Sequence, residues 1–284
     1  RQSSRRRRPN DRHGASRRIC SRWATRTDRA DSGTPEAPVI YRASELGKAI
    51  FYGGRRLSGF TPVTDTETLE RLPAESRGKV WQCYLKDLGI DDYGELAVRG
   101  FGQPPSPPTL ELYVDDTAMT LSRWPNNGFV GIKELISSGS KSENEPSAFV
   151  YDSDRHERWV GAEDGWLFGY FHFLWADATV KIGTIDPDTR TLTTAEPYQY
   201  GGRGMDTRQG IQYYALNLLE EIDMPTEWYL ERSSGMLYLF PESDPRKSTV
   251  EIGMLSTPFI TLDSVSNVRI EGLTFDLARH NGIV

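Results

Sequence analysis

The chain has 284 residues, 37% of them apolar, and a formal net charge of −6. That length allows one large domain or two smaller ones, because single cores stop growing near roughly 250–300 residues. No run approaches the roughly 18 consecutive apolar residues that a membrane span requires; the most apolar stretch, Gly165 to Ala176, is interrupted by Gly169 and His172.

Seven Trp, thirteen Tyr, eleven Phe, 26 Gly and 17 Pro describe a turn-rich, aromatic-rich chain with few helix candidates, which favours β architecture. Charge is unevenly placed. Residues 1–30 hold eleven Arg against Asp11 and Asp28, a balance of +9, which leaves −15 for residues 31–284. An acidic body argues against non-specific nucleic-acid binding. The Arg-rich head reads as a disordered tail or as a stretch foreign to the natural start, since the composition changes abruptly at Asp31-Ser32-Gly33-Thr34; a nucleic-acid arm is the weaker reading. Cys20 and Cys83 make no disulfide framework, one of them lying in that head. The head also lacks the apolar run of about seven to fifteen residues of a signal peptide.

From Pro38 the pattern is short β runs punctuated by Gly and Pro. Pro38–Arg42 and Lys48–Tyr52 read as successive short strands, the second ended by Gly53-Gly54. A middle region, Thr61 to Ser248, has longer and more clearly alternating runs: Val80–Leu85, Thr109–Val114 and Thr117–Ser122, the last two joined as a hairpin through Asp115-Asp116. Thr179–Ile182 and Thr191–Thr194 flank the turn Asp186-Pro187-Asp188-Thr189. Glu227–Leu230 and Met236–Phe240 form a further hairpin. The spacing admits one helix, Tyr213 to Glu221. After Pro245 the runs shorten again, to Phe259–Leu262, Val268–Ile270, Leu273–Leu277 and His280–Val284. Packets of three to five residues with alternating apolar positions suit a stacked β-solenoid, in which each strand pairs with the one a coil later. The pattern is still running at Val284, so the natural protein is expected to continue beyond it.

Several segments resemble bacterial right-handed parallel β-helix proteins, of the pectate-lyase-like superfamily, related to glycoside hydrolase family 141. They are Asp31–Arg42, Gly53-Gly54, Ser122–Asn126, Ala215–Asp223, Glu227–Leu230 with Gly235 and Leu237–Leu239, and Asn267–Phe275. The resemblance implies an all-β fold: N-terminal coils of a right-handed parallel β-helix, with an inserted antiparallel β domain. The expected division is 1–30 as a disordered or non-native segment, 31–60 as first coils, 61–248 as the insert and 249–284 as the start of the main helix. It also implies a secreted or cell-surface protein, the N-terminal portion of a carbohydrate-active enzyme, with polysaccharide or oligosaccharide as partner and the catalytic carboxylates on later coils.

Candidate site residues follow from side-chain chemistry. Asp276, Arg279 and His280 sit together on an expected β-helix coil, where later coils would extend a groove, and are the candidates for a catalytic face; a surface turn is the blander reading. Trp124, Trp166 and Trp175 could stack on sugar rings. Trp159, Trp166, Tyr170, Phe171, Phe173 and Trp175 form an aromatic belt that lines either a cleft or a core. Glu220, Glu221, Asp223 and Glu227 are the densest carboxylates; a glycosidase needs two such groups about 5 to 9 Å apart, although a structural role is the stronger reading here. The four histidines show no metal-ligand spacing, and no metal or cofactor is expected. A non-catalytic glycan-binding protein and a polysaccharide lyase are the alternatives.

Overall fold

In a computed structural model, the described residues are 25–103, 109–204, 210–279 and 281–284, together with the backbone of 17–20. They form an all-β structure whose α-helical content is the single turn-and-a-half Thr66–Arg71. Asp65 caps that helix by accepting from the Thr68 N–H at 2.8 Å, as a short aspartate side chain does for the free N–H groups of a first turn. No helix among the described residues is long and apolar enough to cross a membrane. The chain divides into two units, residues 1–54 with 253–284, and residues 55–252.

Among the described residues the strands of the first unit pair in parallel. Val39–Arg42 pairs in register with Val268–Glu271. Ala49–Tyr52 pairs with Leu273–Asp276 on one side and with Arg17–Cys20 on the other. Thr25–Thr27 pairs with Ile260–Leu262. Two strands of the Arg-rich head are thus paired where sequence composition pointed to disorder. Ladder hydrogen bonds use backbone groups that every residue but proline carries, so charge composition is a poor guide to them.

Two glycines that carry the family resemblance have steric reasons to be glycine. A Cβ on Gly33 would lie 2.6 Å from the Val39 nitrogen and 2.8 Å from the Asn267 carbonyl oxygen. On Gly53 it would lie 2.8 Å from Leu255 Cβ. Gly33 donates its N–H to Ser266 O at 3.0 Å and accepts from the Asn267 amide at 3.2 Å, so the Asp31–Thr34 motif is a place where one chain segment lies directly against another. Phe51, Phe259 and Phe275 pack together, with ring centroids 5.3 Å apart for Phe51 and Phe275 and 5.5 Å for Phe259 and Phe275.

In the second unit the sheets are almost entirely antiparallel. The largest sheet runs Arg123–Trp124, Gln212–Leu216, Trp166–Tyr170, Asp177–Asp186, Thr191–Thr194, Ala148–Val150, Glu134–Ser137. Its strands alternate inward and outward: Leu167, Tyr213 and Ala215 are buried, while Phe168, Tyr170 and Tyr214 face outward. A second sheet joins Glu227–Glu231, Met236–Leu239 and Trp81–Tyr84 antiparallel, with Thr120–Leu121 added in parallel to the first of them. Phe149, Tyr151, Trp159, Leu167, Phe171, Leu192 and Tyr213 form the main core.

The expected hairpin turns are in place. Val114 faces Thr117 and Tyr113 faces Ala118, with positive φ at both Asp115 and Asp116, the backbone of a two-residue primed turn. The expected helix over Tyr213 to Glu221 is absent: Gln212–Leu216 is a central strand and Leu219–Glu221 a single 3-10 turn. Leu216, Asn217 and Leu218 break the helical spacing because Asn217 takes a positive φ of 58°, and alternating Tyr213 and Ala215 complete the sheet's buried face instead. The run Thr117–Ser122 splits at Met119, whose N–H goes to Leu112 O at 2.8 Å, before residues 120–121 join the second sheet.

Candidate functional site

The Leu219–Glu221 turn gathers the carboxylates noted in the sequence, and the structure commits each of them to a partner. Glu220 accepts from Arg71 Nε at 2.8 Å. Burial works against the Arg71 charge, and Glu220 and Tyr229 together more than offset it. Glu221, fully buried, accepts from Arg155 Nε at 2.8 Å and from the Trp159 indole N–H at 2.6 Å; burial still holds its carboxyl above the usual range. Asp223 pairs with the same Arg155 and accepts from the Asn126 amide at 2.7 Å. Glu227 accepts three backbone N–H groups, from Arg123, Asp223 and Met224, yet burial pushes its carboxyl up to about 7. These groups knit turns to strands. A glycosidase pair must face substrate, and here both adjacent glutamates point into protein.

Beside this network lies His156, 1% exposed, with Nδ1 against Ser153 O at 2.8 Å and Nε2 against the Tyr213 hydroxyl at 2.6 Å. Burial pushes it down to about 4, so the neutral ring is a core member. Trp124 packs its half-buried ring 5.4 Å from His156 and 5.7 Å from Trp159, which gives it an anchoring role.

An open cleft of about 420 Å³ is lined by Glu163, Asp164, Trp166, Lys181, Glu231 and Arg232 among others. Asp164 is its hub, accepting from the Trp166 indole N–H at 2.8 Å, Arg232 at 3.0 Å and the Asn217 amide at 3.1 Å. Trp166 itself is 5% exposed, so its N–H and most of its ring are spent on the protein. Among the described residues no group of three or more His, Cys, Asp or Glu is placed to hold a metal ion.

The aromatic belt divides. Trp159 and Phe171 are core. Trp175 is 59% exposed and Phe101, which the sequence reading did not single out, 46%. Phe101 reaches this group because Gly100 lets its strand press against Asp177–Ala178, where a Cβ would collide with the Asp177 carbonyl. Trp175 lies on a turn closed by the Ala176 N–H donating to Phe173 O at 3.0 Å. Phe173 and Trp175 stack at 5.0 Å and 13°, Phe101 meets Trp175 edge-on at 4.9 Å, and Tyr200 lies 5.5 Å from Phe173. The signal in the sequence was the density of rings in Phe171–Trp175; their division between core and surface depends on a turn that periodicity does not show.

In the first unit, Asp276 ends its strand half-buried and Arg279 is 8% exposed. The Arg279 N–H donates to Leu255 O at 3.0 Å. His280 lies outside the described residues, so the three are not described as a constellation.

No family model matches the chain, and no curated protein matches it. A solved structure described as a glycoside hydrolase is similar to it, with a TM-score of 0.62 at 16% identity over 93% of this chain. The chain spans 42% of the length of that structure. At that identity the likeness is one of fold: the chain has a glycoside-hydrolase-like fold.

Proposed function

We propose that the chain is the N-terminal portion of a secreted, bacterial, carbohydrate-active protein, a glycoside hydrolase that acts on complex polysaccharide. In this reading residues 39–54 and 253–284 belong to coils of a right-handed parallel β-helix, and residues 55–252 are an antiparallel β domain inserted between them. The observation that carries it is the set of in-register parallel pairs, Val39 with Val268 and Ala49 with Leu273, within a chain whose fold likeness is to a glycoside hydrolase. Parallel strands with coil-like spacing and stacked inward apolar residues are what a β-solenoid requires. The catalytic carboxylates are placed on further coils of the full-length protein, since the densest group in this chain is bound to arginines and backbone.

The test is an assay of the full-length natural protein on pectic, xylan and algal polysaccharides. Release of reducing ends without unsaturated product is the expected outcome. Unsaturated product would replace the hydrolase reading by a lyase. A second reading, a non-catalytic glycan-binding protein, is favoured by the exposed rings around Trp175, and retention on glycan without turnover would establish it.

A further inference from the structure

We propose that Phe101, Phe173, Trp175 and Tyr200 form a preorganised platform that stacks on the C–H face of an uncharged pyranose unit within a polysaccharide chain. The choice of a sugar rests on the carbohydrate reading above; the existence of a binding surface rests on the rings themselves.

Exposed aromatic rings leave apolar area in water, at about 25 cal/mol per Å², and contiguous patches of them mark interaction sites. Here the exposure is held in place by the core. Phe171 and Tyr198, 0% and 1% exposed, lie 5.6 Å apart; Tyr198 lies 5.9 Å from Tyr200; and Tyr200 lies 5.8 Å from Trp175. An unbroken chain of ring contacts thus runs from the interior to the most exposed ring. Glycine at 100 and a positive φ at Gly102 fix the Phe101 end. Rings held this way lose little freedom on binding, which is the main cost a preorganised site avoids.

The chemistry of the occupant follows from charge. The segments that carry the platform, residues 101–103, 171–176 and 198–202, contain no Asp, Glu, Lys or Arg, in a chain that is 26% charged. The negative π-face of an aromatic ring attracts the weakly positive C–H hydrogens of a pyranose and offers no favourable contact to a carboxylate or phosphate; the charged residues Arg99, Asp177 and Arg203 flank the segments in sequence and are not part of the ring surface. Five exposed or half-exposed apolar residues, counting Leu174, also fall far short of the roughly 20–30 residues a side in a stable protein interface.

Affinity electrophoresis of the full-length protein in gels containing arabinoxylan, xyloglucan or galactomannan, with polygalacturonate as the anionic comparison, tests the proposal. At least one neutral polysaccharide should retard the protein. Trp175→Ala should weaken that retention roughly tenfold, or about 1.4 kcal/mol, and Phe101→Ala should weaken it less. Trp175→Phe should retain most of it, and Leu174→Ala, which removes an exposed apolar group but no ring, should leave it unchanged. Unchanged melting temperatures of the variants separate lost binding from lost folding; should Trp175→Ala melt early, Phe101→Ala decides. Equal retention of Trp175→Ala and the parent, retention by polygalacturonate alone, or none in any gel would overturn the platform. Hydrolysis with no effect of Trp175→Ala would sink the platform and spare the hydrolase reading; retention that depends on Trp175 without hydrolysis would do the reverse.

Discussion

The two units of the chain satisfy the same backbone hydrogen-bonding need by opposite routes. In residues 55–252, antiparallel strands bury alternate large side chains in a shared core, and the hairpins at Val114–Thr117, Asp186–Thr191 and Glu231–Met236 are closed by short turns. In residues 25–54 and 253–284, strands of three or four residues pair in parallel with segments far away along the chain; the bond between Ser266 N and Ser32 Oγ closes a separation of 234 residues. Val39–Arg42 and Val268–Glu271 contain no fully buried residue. Short turns set the hairpins of the first architecture, and parallel ladders between remote segments hold the second. Interior burial is therefore concentrated in the central unit, and variants of the two should differ in proportion.

The largest effect is expected at Arg155. It is the cation for two acids, and one of them, Glu221, is fully buried. Arg155→Met removes the cation hydrogen-bonded to that carboxylate and leaves only the more distant Arg158 charge acting on it, a loss of about 3 kcal/mol or more, read as a lowered urea midpoint. Adding Glu221→Gln should recover a large part of the loss. A midpoint unchanged in Arg155→Met would show that the network contributes little. Leu192→Ala, at a site with no exposure, should cost about 2–5 kcal/mol. Ile270→Ala, at a half-buried position of a parallel strand, should cost about 1 kcal/mol because less apolar area leaves water. Equal costs would erase the contrast between the units.

That contrast also explains what the sequence could tell. Period-two runs located most strands of the first unit but fewer than half of those of the central one, where Glu134–Ser137, Ala148–Val150 and Trp166–Tyr170 were not singled out as strands; the Asp115-Asp116 and Gly235 turns located hairpins. Tyr213–Glu221 was misread because apolar residues filling a central strand and the turn after it carry helix-like spacing, which length and propensity do not correct. The parallel pairing partners of Val39 or Ala49 were legible only through a family resemblance: no local signal names a partner more than two hundred residues away. At the site, ring density was visible, but whether Trp166 or Trp175 faced solvent depended on the indole bond to Asp164 and on a turn at Phe173–Ala176.

Titration of the central unit should show two opposing effects. His156 has its pKa depressed by burial to about 4 from an ordinary 6.5. Its contribution is therefore full above about 6.5 and is lost as pH falls toward 4, roughly 3 kcal/mol in all. Glu227 has its pKa raised by burial to about 7, so its contribution is full below about 4.5 and is lost as pH rises through 7. Melting temperature measured from pH 4 to 8 should fall on the acid side less steeply in His156→Gln than in the parent, and on the neutral side less steeply in Glu227→Gln. Parallel profiles for parent and both variants would remove these two groups as the source.

The smallest expected effect isolates the local route to specification. Asp115 and Asp116 occupy the turn between Leu112–Val114 and Thr117–Ala118, with φ of 48° and 63°. The Asp115 carboxylate is engaged, accepting from the Thr249 N–H at 2.8 Å, while Asp116 is exposed. Left-handed backbone is unfavourable for a residue with a Cβ and free for glycine, and Asp-Gly is among the preferred pairs for this turn. Asp116→Gly should therefore stabilise the central unit by about 0.5–1 kcal/mol, the strain relieved in the folded turn exceeding the entropy added to the unfolded chain. Asp115→Gly should gain nothing, since relief of the same strain is offset by loss of the Thr249 bond. Equal gains for both variants would mean that the turn is set by backbone strain alone, and that the side-chain bond to Thr249 plays no part in fixing its register.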